Sequence, residues 1–336
     1  MSANIKPFLS ICIPTFNRCI KVRDLVNNLL KYNGTDIEIV VLDNCSPDST
    51  SQLLSRIKDS RLRYEVNENN IGGILNPLKV FTKARGQYSL LCLDKDYLDY
   101  QYIPGLIISL KKSEDIVFGY CGLNLIASSP GRTYDKGFSS VMNMSYSSKH
   151  PSGYFYKTEL LINSTTLREI FASPENFGFY FELINAEMSF KGRSKVINLP
   201  LVFTESRNEC AKIPSYTYNR TNLYFTPENR QKEYFAYMRS ASKLDLPYKE
   251  KYEVVKSLFK RGLISSTFLF KSILADSDIC SHHGIDTRKL GDLELVKVDL
   301  FYSISFILMS MSINRFKRVI ICAKVHYQLI NERIRK

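Results

Sequence analysis

Tryptophan is absent from this 336-residue chain, and the aromatic mass comes from 21 Tyr and 20 Phe. The eight cysteines (12, 19, 45, 92, 121, 210, 280, 322) are scattered and none form a CxxC pair, so no zinc-ribbon or dithiol motif is present. Cys12, Cys92 and Cys121 sit inside apolar runs, where a thiol behaves as a small hydrophobe. The expectation is reduced core cysteines in a cytoplasmic protein without a zinc site. No basic segment leads into a long apolar stretch at the start: Phe8–Ile13 is too short for a signal peptide and is cut by Pro14. Nowhere do 18 apolar residues run together, which predicts no transmembrane helix. Internal repeats and low-complexity tracts are missing too.

What is there is the composition of a globular protein, with 44% apolar residues and enough length for one large domain or two smaller ones. The formal net charge of +13 favours an anionic partner. Nucleic acid, phospholipid headgroups and nucleotide diphosphates all qualify, so charge alone does not choose.

The first hundred residues alternate short apolar runs with amphipathic segments. Phe8–Ile13 reads as a buried strand. Val22, Leu25, Val26, Leu29 and Leu30 then fall on one helix face, with Asn17 as its N-cap. Ile37–Leu42 is a β-branched run ending at Asp43. Ser46-Pro47-Asp48-Ser49 offers a cap with Pro at the first helical position. Arg61–Val66 reads as a third strand, Leu75–Lys83 as a third helix and Tyr88–Leu93 as a fourth strand running into Asp94. Strand–helix alternation predicts a parallel sheet with crossover helices, whose ligands bind beyond the carboxyl ends of the strands. That rule selects Pro14–Asn17, Asp43–Ser46, Asn67–Gly73 and Asp94–Asp96 as one rim. Further on, the sequence predicts a strand at Asp115–Cys121 and a long loop over Ser128–Gly153. A helix is expected at Tyr180–Phe190 and a strand at Lys195–Leu199, stopped by Pro200. From about Gln231 the pattern is helical and basic.

Asp94-Lys95-Asp96 is the sharpest feature: two carboxylates one residue apart, just past a buried strand, can both face a divalent cation. Mg²⁺ and Mn²⁺ take oxygen ligands, commonly one or two carboxylates plus substrate phosphates. The competing reading of an isolated pair is a solvated turn; its place at a strand end, beside Asp43, favours the metal. Lys95 either meets a phosphate or points to solvent. Asp43 can accept from a nucleoside base or ribose, and its segment also caps the next helix. Asn69-Asn70-Ile71-Gly72-Gly73 is either a plain turn or a place where backbone approaches a ligand.

Together these pieces resemble family 2 glycosyltransferases of the GT-A type. Ile11–Arg18 is similar to that family's opening strand and turn, and Asp43–Asp48 to its Asp-Asp-Gly-Ser-Thr-Asp segment. Asn70-Ile71-Gly72 and Ala84-Arg85-Gly86-Gln87-Tyr88 match its Asn-x-Gly and Ala-x-Gly-x-Tyr elements, and Asp94-Lys95-Asp96 falls at its metal-binding DxD. Asn44 and Cys45 replace the usual second Asp and Gly. The resemblance covers about residues 8–100 well and 150–205 weakly. It implies an α/β GT-A fold, a Rossmann-like mostly parallel sheet flanked by helices, over 1–230. Within that span 1–100 would bind nucleotide sugar and 101–230 the acceptor, with a helical basic extension over 231–336. It further implies inverting transfer from a nucleotide-sugar donor, UDP-linked, with Mn²⁺ or Mg²⁺ on Asp94 and Asp96. Pro14, Thr15, Asn17, Asp43, Ser46, Asn70, Gly72 and Asp94 are the expected donor contacts.

Inverting transfer needs a base for the acceptor hydroxyl. The family places it ahead of a helix ending in Gly, which here points to Glu182, ten residues before Gly192, with Glu187 and Glu175 as rivals. Its bland alternative is a surface glutamate on an amphipathic helix. His150, before Pro151-Ser152-Gly153-Tyr154, is a loop histidine or a metal or phosphate ligand. Leu300–Met311 is strongly apolar and the tail beyond it carries Arg315, Lys317, Arg318, Lys324, Arg333, Arg335 and Lys336. That segment fits an interface with anionic lipid or a helix packed on the catalytic domain. The expectation is an enzyme acting on a saccharide or lipid-linked saccharide of a surface polysaccharide such as O-antigen or capsule. It would be cytoplasmic, or peripheral on the inner face of the plasma membrane, with no nucleic-acid partner. A sugar nucleotidyltransferase is disfavoured because Pro14–Asn17 has no glycine. A basic nucleic-acid-binding protein is disfavoured because the rim is acidic.

Overall fold

The computed structural model describes residues 6–123, 131–147, 149–174, 180–204, 223, 225–277, 280 and 292–334. They form two compact units, Met1–Glu175 with Ile184–Thr217 and Asn176–Leu183 with Tyr218–Lys336.

The first unit is built on one mixed sheet with the order β3-β2-β1-β4-β8-β6-β9-β5, β7 pairing with β9. Its strands are β1 (Leu9–Thr15), β2 (Ile37–Asp43), β3 (Leu62–Val66), β4 (Tyr88–Leu91), β5 (Tyr97–Leu98), β6 (Ile116–Leu123), β7 (Arg132–Tyr134), β8 (Tyr154–Lys157) and β9 (Arg193–Phe203). β1, β2, β3 and β4 run parallel, so their carboxyl ends share one edge. Every residue of β1 and β2 is buried, as continuous apolar runs in a sheet covered on both faces should be. Leu9, Ile11 and Ile13 pack in one core with Val22, Leu25, Val26 and Leu29 of α1 (Cys19–Leu29) and Ile103, Leu106, Ile107 and Leu110 of α4 (Ile103–Lys111). Between them lie α2 (Thr50–Ser55) and α3 (Gly72–Lys79), the latter tightening into a 3₁₀ turn at Val80–Lys83.

At the opposite, amino edge a buried polar clasp ties these strands together. Glu38 accepts from Ser10 Oγ, from the Arg85 amide and from Arg63, while the Gly86 amide donates to Ser10 Oγ. A Cβ on Gly86 would stand 2.7 Å from that hydroxyl, which is why this turn needs glycine.

Several expectations change here. Arg18, not Asn17, occupies the N-cap position of α1, and the Cys19 amide is capped by the Asp48 carboxylate at 3.0 Å. α2 begins at Thr50, so Pro47 lies before the helix rather than at its first position; Asp48 accepts from the Thr50 amide. The expected loop over 128–153 contains β7 and α5 (Phe138–Met144), while 124–130 and 148 lie outside the described residues. β9 runs through Pro200, where its pairing with β6 slips between Cys121 and Leu123 and so spares the missing amide. Cys12, Cys92, Cys121, Cys280 and Cys322 are buried, Cys19 is half-buried and Cys45 is exposed, so the last is no core residue; Cys210 lies outside the described residues.

Two further short helices, α6 (Thr158–Ile162) and α7 (Thr165–Ala172), precede α8 (Tyr180–Met188), within which the division between units falls. The second unit continues with α9 (Pro227–Lys243), α10 (Tyr248–Ile264), α11 (Phe270–Leu274), α12 (Asp292–Leu308) and α13 (Arg315–Ile334). Phe259 stacks on Tyr302 at 5.2 Å and meets Phe306 at 4.5 Å in its centre. Among the described residues no helix is long and apolar enough to cross a membrane.

Candidate active site

The shared carboxyl edge of β1, β2, β3 and β4 gathers Thr15, Asp43, Asn67 and Asp94, the rim expected from sequence. Asp94 is buried. Its Oδ2 accepts from Thr15 Oγ1 at 2.8 Å and its Oδ1 from Arg18 Nη1 at 2.9 Å. Burial pushes its carboxyl above the ordinary value, against the pull of the Arg18 charge and the bonds from Thr15 and the Phe16 amide. Both oxygens are thus engaged within the protein.

Asp96 differs. Its Oδ2 meets His150 Nε2 at 2.6 Å and accepts a short bond from Ser152 Oγ. Its Oδ1 is buried without any hydrogen-bond partner. A bare carboxylate oxygen inside a protein costs free energy comparable to a lost hydrogen bond unless a ligand completes it. His150 and Ser152 arrive because β8 runs antiparallel to β4 and so begins at the edge where β4 ends. The Ser152 hydroxyl also accepts from the Leu93 amide at 2.9 Å, and the Gly153 amide donates to the Leu91 carbonyl at 2.9 Å. Lys95, between the two acids, is half-buried.

Asp43 is wholly buried at the end of β2. Oδ1 accepts from the amide and hydroxyl of Ser46, and Oδ2 from Tyr64 Oη at 3.0 Å. Burial first, and then the Asp43 charge, push the Tyr64 phenol up to about 12, so it remains a donor. Ser46 Oγ accepts in turn from the amide of Asn17, whose φ of 54° places it in the left-handed region. Asn44 explains one departure from the family pattern. Its Nδ2 donates to Asn70 Oδ1 at 2.7 Å, and its Oδ1 accepts from the Ile71 amide at 2.9 Å and from Asn67 Nδ2 at 3.1 Å. An amide, which donates and accepts, closes this network; a carboxylate could not donate. Asn70 also accepts from the Gly72 amide, and both residues are exposed at the rim, Gly72 with φ 87°. Cys45 holds the family's glycine place with φ 63°, a conformation a non-glycine residue adopts at a cost. Pro14 is buried within β1, paired with Leu42, one residue behind the rim.

Glu182 is buried on α8 rather than on a surface. Tyr234, pushed up to about 12 by burial and then by Glu233, feels the Glu182 charge as well. Its rival Glu187 caps α7, accepting from Ser164 Oγ at 2.7 Å and from the Thr166 amide at 2.8 Å. Burial would raise its carboxyl, but these bonds prevail and hold it below the ordinary value, which suits a cap and not a base. Glu175 lies outside the described residues. Sequence reasoning missed Arg18, Tyr64 and Ser152; the run Thr15-Phe16-Asn17-Arg18 ahead of a helix was the available signal for the first.

Among the described residues no three His, Cys, Asp or Glu side chains form a ready-made metal cluster. The open valence is Asp96 Oδ1, with the His150 imidazole beside its partner oxygen. A hard cation that brings phosphate oxygens of its own needs no more than one or two carboxylates from the protein, and this donor set fits it.

The profile described as Glycosyl transferase family 2 matches residues 10–184. A curated relative, the poly(ribitol-phosphate) beta-N-acetylglucosaminyltransferase TarS of Staphylococcus aureus, is 33% identical over 94 residues, 27% of this chain and 16% of that protein. The GalNAc(5)-diNAcBac-PP-undecaprenol beta-1,3-glucosyltransferase of Campylobacter jejuni is 28% identical over 118 residues, 34% of this chain and 38% of that one. Both matches therefore span well under two thirds of the relatives' own length. Among solved structures, TarS residues 1–349 with UDP-GlcNAc superpose with a TM-score of 0.57 at 15% identity, covering 89% of this chain and 92% of that one. The mannosyltransferase PcManGT of Pyrobaculum calidifontis, with GDP-Man and Mn²⁺, gives 0.51 at 11% identity, covering 90% and 87%. At these identities the likeness establishes the GT-A fold.

Proposed function

The chain belongs to glycosyl transferase family 2 and is a glycosyltransferase, and from that membership we propose that it moves a sugar from a UDP-linked donor to a hydroxyl of a growing, lipid-linked surface glycan. O-antigen or capsule is the class of product, and the transfer inverts the anomeric carbon. The relatives' names support the class, since they act on a ribitol-phosphate polymer and on an undecaprenol-linked saccharide. One observation carries the site: a buried, partnerless Asp96 Oδ1 at the carboxyl edge of parallel strands.

In this reading Asp96, with His150 beside it, and Asp94 would hold Mn²⁺ or Mg²⁺, which neutralises charge on the departing diphosphate. Arg18 balances the charge of Asp94. Asp43, which accepts from Ser46 and Tyr64, is the proposed contact for the nucleoside. Asn70 and Gly72 face it from the exposed end of the rim, while Thr15, Asn17 and Ser46 shape the turns beneath. The acceptor oxygen forms its bond to the anomeric carbon as the bond to the diphosphate breaks, and Glu182 takes the acceptor proton. The catalytic portion spans 1–230, and the enzyme works at the cytoplasmic face.

Asp96→Asn, folded by circular dichroism, is expected to lose transfer from UDP-sugars at least about 100-fold, together with the extra thermal stabilisation that Mn²⁺ adds to UDP. Glu182→Gln should lose transfer and keep that stabilisation. Transfer by Asp96→Asn at the wild-type rate would refute the assignment.

A further inference from the structure

The described surface carries 17 exposed large apolar side chains, and nine of them lie on α12 and α13. On α12, Val296, Leu300, Ile304 and Leu308 recur every fourth residue, and Phe301, 64% exposed, widens the stripe. Tyr302 and Phe306, on the other side of the same helix, are fully buried. α13 repeats the arrangement: Phe316, Val319, Tyr327 and Ile330 face out, while Ile321 and Val325 face in.

The two helices are tied to each other by their less exposed groups. His326 Nε2 bonds Asp299 Oδ1 at 2.9 Å, and the buried Arg318 donates to the Phe306 carbonyl at 3.0 Å, closing the end of α12. Both apolar stripes are left facing solvent. Beside them Arg315, Lys317 and Lys324 are exposed, and α13 carries five cations against one acid, Glu332, which is bound to Lys260.

We infer that the outward face of α12 and α13 docks on an anionic lipid bilayer, lying in its interface. Neither helix is long and apolar enough to span one. An apolar stripe flanked by lysine and arginine is the pattern that settles at the headgroup boundary, where each cation near an anionic surface strengthens partitioning roughly five-fold. A second copy fits less well, because the cationic flanks of two such faces would meet each other. This surface is independent of the rim chemistry and goes beyond the transferase reading.

The test is flotation of the full chain with phosphatidylglycerol-containing vesicles and with pure phosphatidylcholine vesicles. Wild type is expected to partition onto the anionic vesicles at least about 25-fold more strongly, the product of two such cations. Leu300→Glu with Ile304→Glu should lower that partitioning at least about ten-fold, with melting temperature and lipid-free UDP-sugar hydrolysis unchanged. Lys317→Glu with Lys324→Glu should erase the preference for anionic lipid. Equal partitioning of wild type onto both vesicles overturns the inference. So does wild-type behaviour of the apolar double variant, or a dimer in light scattering that this variant dissolves without vesicle binding by wild type.

Discussion

Asp94 and Asp96 stand one residue apart, and the protein satisfies one while leaving the other open. Asp94 has Arg18 and Thr15 on its two oxygens; Asp96 keeps Oδ1 bare. Because burial raises the Asp94 carboxyl, the folded state holds its proton more tightly than the unfolded chain does. Its contribution to stability is therefore fully present below the unfolded pKa and is lost as pH rises through the folded one. Denaturant melts of wild type and Asp94→Asn across pH 4 to 7 isolate this term, since the other groups cancel in the difference. Wild type should gain on the variant as pH falls; a constant difference would contradict it. Cys45 shows the other kind of departure, a side chain in a left-handed turn where the family has glycine.

At the scale of elements, the site depends on a strand that the sequence pattern did not reveal. β8 is antiparallel to its neighbours β4 and β6, and only for that reason do His150 and Ser152 reach the end of β4. Gly153 makes the turn with φ 103°, and a Cβ there would stand 2.3 Å from the Cys121 carbonyl. Gly153→Ala should destabilise the protein by about 1–3 kcal/mol and weaken Mn²⁺-dependent UDP binding; denaturant melts and a metal titration check both. Unchanged stability would contradict the turn's role. α5 was hidden by composition. Its serine-rich stretch reads as loop, yet Ser140 is buried and bonds Ser189 and Ser194, so its polar groups are satisfied inside the fold.

For the whole molecule, the charge of +13 and the acidic rim point to different partners. Since the rim repels bare phosphate without a cation, UDP with Mn²⁺ at 100-fold over its dissociation constant should stabilise the chain by about 2.7 kcal/mol. UDP alone and a single-stranded oligonucleotide should each give less. Thermal shift distinguishes them, and stabilisation by the oligonucleotide only would favour the nucleic-acid reading over the transferase.

Local pattern was enough for the parallel strands β1 to β4 and for Asp43, Asn70, Asp94 and Asp96 at their ends. Burial on both faces demands continuous apolar runs, and a parallel connection brings each strand's end to the same edge. Tertiary structure alone decided which atoms are satisfied. Arg18 on Asp94, Tyr64 on Asp43, Ser152 on Asp96 and Glu187 on the start of α7 are contacts between residues 21 to 76 positions apart. Hydrogen bonds of that reach depend on strand direction and register, which a one-dimensional pattern does not carry.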